Sequence, residues 1–335
     1  MQRPVVDSFR YRSLFWPVFL IGVGLVWFLA NAGVIAPTNL FALIRLWPLI
    51  LVVIGLDILF GRRSPLIGAL IGFGAVGLVI LFLILSPSLG LAPSFEVKTA
   101  HYVTPLENTT SASLDLNLSS YITEVKGLDS PDKLIEANLD YLGRMDYSVS
   151  GSAQKTISIG ESREWFEGWW MNLGKEMQWN LSLSPQVPFD VKVDGGSGAS
   201  HFDLSGLKLT RFDLNMGSGS MTIDLPASST SYNSSIEGGS GSVELTLPKD
   251  TDLSLDLDGG SGSIKVEVPG NSGLRITVQD NGSGSVNTPA RVSRISGDPE
   301  EDEGVFESSG YNQAAHKIQI VVSGMGSGSI NLQDN

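Results

Sequence analysis

Two rhythms of apolar residues divide the chain. Up to residue 86 they run nearly unbroken, in the stretches Leu14–Ala30, Leu40–Phe60 and Leu66–Ser86. Further on they fall at every second position, as in Ser113-Leu-Asp-Leu-Asn-Leu118 and Lys155-Thr-Ile-Ser-Ile-Gly160. The first rhythm predicts helices in an apolar medium. The second predicts strands with one buried face. Ser130-Pro131-Asp132 has the look of a helix start, but no 3.6-residue period follows, so a turn into a strand is expected there.

The strands are punctuated. Gly-Ser-Gly-Ser begins at Gly217, Gly239, Gly260, Gly282 and Gly326, and Gly196-Ser-Gly-Ala199 is a near-copy. Successive marks lie 21 or 22 residues apart, except the last step of 44. Alternating segments precede each mark (Leu253–Leu257, Leu274–Val278) and follow it (Met221–Leu225, Val243–Leu247, Ile264–Val268), several closed by Pro. This predicts an array of two-strand rungs stacked in parallel, a β-solenoid with 21–22-residue rungs. A twisted antiparallel β-sandwich is the alternative, since Gly-Ser turns also close hairpins. The glycines are expected to supply positive φ at each corner. A rung should turn near residue 304. The acidic run Ser296–Gly304 stands there instead and reads as a solvated excursion.

Leu66–Ser86 has 21 residues and no charge, enough to span a bilayer core of about 30 Å. The two stretches before it repeat one another. Trp16-Pro17 is followed by Gly24-Leu25, and Trp47-Pro48 by Gly55-Leu56 at the same offset. Pro suits a first helical turn and Trp a membrane interface, so each pair reads as the start of a span. Three spans are expected. Arg3, Arg10 and Arg12 precede the first, and Arg62 and Arg63 lie between the second and third. By the positive-inside rule the N-terminus is cytoplasmic and everything after the third span is extracytoplasmic. Asp57 falls within the second span near its Arg-flanked end, where it either reaches the headgroups or serves as an intramembrane acid. Gly68 and Gly72 form a small-xxx-small pair, a candidate for helix association.

The Trp-Pro repeats, the short loop between them and the Gly-Arg-Arg at 61–63 resemble the bacterial LiaI/LiaF-like family of multi-pass membrane proteins. The match covers about residues 14–63. The run Asp203–Leu214, lying between Gly-Ser marks, resembles the soluble domain that accompanies such membrane regions, a β-rich module found also in adhesin-like surface proteins. The resemblance implies an envelope-stress sensor or regulator that restrains a histidine kinase in the membrane. A scaffold or adhesin binding glycan or protein is the alternative.

Charge sharpens this division. Residues 1–95 hold six basic residues and two acids, whereas the remainder holds 16 basic and 33 acidic residues. So acidic a soluble part argues against nucleic acid as a partner. With no Cys, disulfides and Cys-ligated zinc are excluded. The expected organisation is a tail at 1–13, spans within 14–86, a Pro/Gly linker at 87–95, a first β segment at 96–185 and the array at 186–335.

Candidate chemistry is thin. Gly72-Phe-Gly-Ala-Val-Gly77 matches a dinucleotide fingerprint but lies inside an apolar span, without the strand such a loop requires. Ser130–Lys133 matches S-x-x-K without its companion motifs. Calcium is excluded from the array, because the position that would carry its Asp ligand holds Met221, Val243 or Ile264. His101, His201 and His316 are scattered. No catalytic residue, metal site or cofactor is expected, and the protein reads as a non-enzyme. Trp165, Phe166, Trp169, Trp170 and Trp179 crowd into 15 residues. They read as a cap over the end of the solenoid, and as the best candidate contact surface. The membrane, a histidine kinase or envelope component, and a second copy are the partners expected.

Overall fold

Alternation becomes strand wherever it occurs, but the strands stack in an order that their succession along the chain does not announce. The computed structural model describes residues 14–35, 43, 46–61, 64–86, 88, 97–162, 177–280, 282–297 and 303–335. It forms two compact units, Met1–Glu96 and Val97–Asn335.

Among the described residues the second unit consists of two facing sheets, a front sheet of ten strands and a back sheet of eleven. Each rung places one strand in the back sheet and the next in the front sheet. The central rungs are β8 (Pro188–Asp194) with β9 (Ala199–Asp203), β10 (Lys208–Asn215) with β11 (Ser220–Asp224), β12 (Tyr232–Glu237) with β13 (Ser242–Thr246), and β14 (Leu253–Gly259) with β15 (Ser263–Val268). Neighbouring rungs pair in parallel and in register, so that Met221, Val243 and Ile264 stand side by side. The residues of each apolar row point between the sheets. Phe189, Phe202, Phe212, Leu245, Leu255 and Val266 are fully buried there. Burial of each such side chain contributes about 1.5–3 kcal/mol, and no single rung could seal its own face.

Both ends of the stack depart from chain order. The first rung in sequence, β2 (Ser111–Asn117) with β3 (Ile122–Gly127), lies between β8/β9 and the rung made by β6 (Gln154–Ser162) and β7 (Gln178–Leu183). The last rung, β20 (Lys317–Met325) with β21 (Ser329–Asp334), lies between β14/β15 and the rung made by β16 (Gly273–Val278) and β17 (Ser285–Asn287). This corrects the expectation of a missing turn near residue 304. The step of 44 residues marks a chain that leaves the stack and returns one place further in. The chain leaves through the antiparallel pair β18 (Val292–Ser296) and β19 (Gly304–Ser308), of which β19 pairs with the edge of β16. The acidic residues 298–302 between those strands lie outside the described residues. Arg291 fastens the crossing. Its guanidinium donates to the carbonyls of Pro269 (3.0 Å) and Ser272 (2.6 Å) in the link before β16, and to Asp334 Oδ1 (2.6 Å) at the end of β21.

At the opposite end, β1 (Lys98–Pro105) and β4 (Lys133–Tyr141) extend the front sheet antiparallel, and β5 (Arg144–Gly151) extends the back sheet. The gap between the sheets is bridged there by Tyr102 of β1 and Tyr147 of β5, stacked at 4.1 Å.

The corners explain the Gly-Ser marks differently from the sequence expectation. Among their glycines only Gly282 has a positive φ, 49°. The others are needed because backbone stacks on backbone. Gly262 N donates to Gly239 O at 3.0 Å and Ser263 N to Gly241 O at 3.0 Å, and a Cβ on Gly262 would overlap the Gly241 carbonyl.

Several inward positions are polar, among them Thr123, Lys155 and Ser234. Ser234, between Phe212 and Leu255 in register, is 4% exposed and its hydroxyl has no hydrogen-bond partner. A desolvated, unpaired hydroxyl costs roughly 1–3 kcal/mol. Ser234→Ala should therefore raise stability by about 1 kcal/mol, read as a higher denaturant midpoint with an unchanged slope. A lower midpoint would mean that the hydroxyl is satisfied in solution.

Two tyrosines, Tyr147 half-buried and Tyr232 buried, set an alkaline limit. Burial pushes the Tyr147 phenol up from its ordinary value, against the lowering effect of its 2.7 Å bond with Thr104 Oγ1. Burial also pushes Tyr232 up, and its hydroxyl donates to the Pro226 carbonyl at 2.8 Å. Below about pH 10 folded and unfolded chains both keep these protons, and the contribution to stability is complete. Above it the unfolded chain releases protons that the fold retains, so stability falls as pH rises. Unfolding curves should hold steady to about pH 9 and weaken above about pH 10. Tyr232→Phe should lessen that decline, and an equal decline in both proteins would contradict the assignment.

The first unit is helical: α1 (Phe15–Asn31), α2 (Trp47–Leu56) continuing into a π turn at Asp57–Gly61, and α3 (Pro65–Leu85). Leu66–Leu85 is long and apolar enough to cross a membrane, and the two preceding helices are shorter and also apolar. Helices α1 and α3 meet at glycines. A Cβ on Gly22 would overlap Val76, and one on Gly72 would come within 2.9 Å of Val18.

Candidate functional surfaces

The outward residues of the β unit form polar rows across the strands. On the front sheet Lys265 reaches Glu267 at 2.9 Å and also pairs with Glu244 on the neighbouring strand. On the back sheet a depression of about 380 Å³ lies over β10, β12 and β14, lined by Arg211, Asp213, Asn233, Ser235, Ser254 and Asp256 among others, and β10 bulges against β8 at Thr210 on its rim. Arg211 Nε lies 2.7 Å from Asp213 Oδ2, in a salt bridge along the strand. Next to it, partial burial pushes the Asp190 carboxyl up, opposed by Arg211 and reinforced by Asp213 and Asp115. The patch offers hydrogen bonds in both senses. The bulge at Thr210 was not legible in the alternation.

Along the corners runs an open trough of about 1100 Å³, walled by the Ser and Gly residues of the marks. It follows the spatial order of the rungs, so the mark at Gly326 lies between those at Gly260 and Gly282. Gly328 N donates to Gly260 O at 3.2 Å, and Ser285 N to Gly328 O at 3.2 Å. The residues following the marks point inward, Met221, Val243, Ile264 and Ile330 being at most 3% exposed. Among the described residues no group of three His, Asp or Glu side chains could hold a metal ion.

The aromatic cluster divides. Trp165, Phe166, Trp169 and Trp170 lie outside the described residues. Trp179 is not a surface residue, which corrects the reading of it as a contact. It occupies an inward position of β7, fully buried, with its ring 6.1 Å from Tyr121 and its Nε1 donating to the Asp140 carbonyl at 2.9 Å. Its parity with Leu181 and Leu183, both inward, is the sequence signal that marks it as core. In the helical unit Gly68 and Gly72 are buried, and Gly72 faces Val18 of α1. Asp57 is 2% exposed at the start of the π turn, on the same side as buried Gly61. An apolar groove of about 440 Å³ separates α1 from α2, with Trp16, Phe19, Val23, Ile50, Val53 and Val76 among its walls.

Comparison with known proteins finds a match in each unit. Residues 14–59 match the LiaI-LiaF-like transmembrane region, and residues 94–246 match the N-terminal domain of toast_rack, DUF2154. No curated protein matches the chain. Among solved structures, a candidate cell adhesion protein from Clostridium sporogenes aligns over 72% of this chain and 100% of its own, with 21% identity and a TM-score of 0.50. Candidate adhesins from Bacteroides fragilis and Parabacteroides distasonis align over 72% and 71% of this chain and 98% of their own, with 11% and 13% identity and TM-scores of 0.26 and 0.30. The Clostridium structure shares the fold, helices aside: a large all-β domain of mostly parallel strands. Along the chain a region similar to the LiaI-LiaF-like transmembrane region, residues 14–59, is thus followed by one similar to the N-terminal domain of toast_rack, residues 94–246.

Proposed function

We propose that this protein is a non-enzymatic, membrane-anchored regulator of the envelope-stress response. In this reading three spans hold it in a bacterial cell membrane with the N-terminus cytoplasmic. The rack stands on the extracytoplasmic side and senses the envelope, and the helices contact a membrane histidine kinase. The observation that carries the reading is the union, in one chain, of a LiaI-LiaF-like transmembrane region and a toast_rack domain. The groove between α1 and α2 and the lipid-facing residues around it supply a surface on which a membrane partner could read the helices. Exchanging residues 14–61 for two unrelated spans, with α3 and the rack retained, should release the kinase and raise a stress-promoter reporter several-fold without inducer. An unchanged reporter, with the exchanged protein present at normal level, would remove the regulatory role.

The likeness to the Clostridium fold supports a second reading, an extracytoplasmic scaffold or adhesin that binds glycan or protein. Replacing Trp165, Trp169 and Trp170 by Ala would then abolish binding to isolated envelope and leave the reporter untouched.

A further inference from the structure

The two sheets end in four edge strands, and three of them are guarded. In the front sheet β17 has only three residues and runs into Thr288-Pro289. In the back sheet β18 has five residues and a register break between Arg294 and Ser296. The other back edge, β5, exposes the charged pair Arg144 and Asp146. Short strands, proline, bulges and edge charges all discourage pairing with another chain. The fourth edge, β1, is different. It has eight residues, its pairing with β4 is unbroken from Lys98 to Thr104, and Thr99–Thr104 carries no Asp, Glu, Lys, Arg or Pro. It also projects: the front sheet continues two strands past β7, the back sheet one past β6. Among the described residues no strand pairs with the far side of β1.

We propose that β1 pairs antiparallel with β1 of a second copy of this chain across a two-fold axis at Ala100, joining two front sheets into one. The assignment to a second copy rests on self-complementarity and on tethering. An antiparallel edge paired about a two-fold axis matches itself. With the axis at Ala100, the small side chain sits at the closest approach. Lys98 then opposes Tyr102 of the partner subunit, and Thr99 opposes His101 of the partner subunit, so no like charges face. Lys98 already lies 5.8 Å from the centre of the Tyr141 ring, an interaction of the same kind. An axis one residue later would set His101 against its own copy. Only 12 residues separate Leu85, the end of α3, from Lys98. Such a link spans at most about 40 Å. Copies anchored in one membrane therefore hold their β1 strands in a common layer, which raises their effective concentration. This inference is independent of the regulatory reading.

The test uses the full chain in its membrane, and the absence of native Cys makes it clean. Cross-strand Cα atoms approach to about 4.5–5.5 Å, within disulfide reach. One residue away from the axis, a Cys and its own copy are about 8 Å or more apart and cannot bridge. Ala100→Cys should give a disulfide-linked species of twice the chain mass under mild oxidation. Thr99→Cys and His101→Cys should each remain largely single, yet cross-link when the two variants are co-expressed. The unmodified chain extracted in mild detergent should have the mass of two copies. The proposal is overturned if Ala100→Cys stays single, if Ser285→Cys on β17 cross-links as readily, if the cross-linked product is not twice the chain mass, or if the extracted chain is monomeric.

Discussion

Gly262→Ala is expected to destabilise the rack by about 3 kcal/mol or more, from the addition of one methyl group. The methyl would overlap the Gly241 carbonyl, which is backbone and cannot rotate away. Relief requires the rungs to separate at the corner. That would stretch the bonds from Gly262 N to Gly239 O and from Ser263 N to Gly241 O. The disturbance passes on, because Gly328 is packed against Gly262 O in the same way. A loss of this size is a large share of the roughly 5–15 kcal/mol that holds a domain together. Gly206→Ala is the matched control. A Cβ there meets nothing within 4 Å and the backbone is not left-handed, so the change should be neutral or stabilise by up to about 1 kcal/mol. Urea unfolding of the two variants decides the matter. Similar midpoints would show that the corners yield, and that glycine serves them by some means other than closeness.

Removal of residues 317–335 should do more, abolishing the cooperative unfolding transition altogether. This deletion takes out β20 and β21, which lie inside the stack, and with them the buried side chains of Ile318, Ile320, Val322, Ile330 and Leu332. At about 1.5–3 kcal/mol each, their burial approaches or exceeds the whole net stability of a domain. It also opens two interfaces, against β14/β15 and against β16/β17, and frees Arg291 from Asp334. Were the rungs stacked in chain order, the shortened protein would only lose its last rung and melt a few degrees lower. Circular dichroism during heating separates these results. A sharp transition within a few degrees of the full chain would mean that β16/β17 can close directly onto β14/β15.

Clamping the last rung one place in from the end has a physical use. A terminal rung at the outside would have one neighbour and would fray. Here β20/β21 has two, while β19 of the pair β18/β19 covers the edge of β16. The same device operates at the other end, where β2/β3 lies between β6/β7 and β8/β9. In both cases the rung displaced outward is continuous at both of its ends with further chain.

Strand positions were legible because burial on one face imposes a two-residue period wherever a strand occurs. The corners were legible because the same close approach recurs at every step and admits only glycine. What glycine does there was not legible, since left-handed φ and close approach select the same residue. Trp179 shows a related confusion. The density of tryptophan around it suggested a surface, while its parity along β7 already placed it with Leu181 and Leu183 inside.

The sequence by itself determined the two units, the helical character of the first, the strands of the second and the corners that join them. Those features depend on period, composition and local backbone space, all written in residues close together along the chain. Tertiary structure alone decided the order of the rungs, the packing of Trp179 against Tyr121, the unpaired hydroxyl of Ser234 and, among the described residues, the open edge at β1. Rungs of one period present equivalent faces to one another, so local pattern does not distinguish their permutations. The order is selected only when the link at 269–272, the clamp of Arg291 and the covering pair β18/β19 are all satisfied together in space.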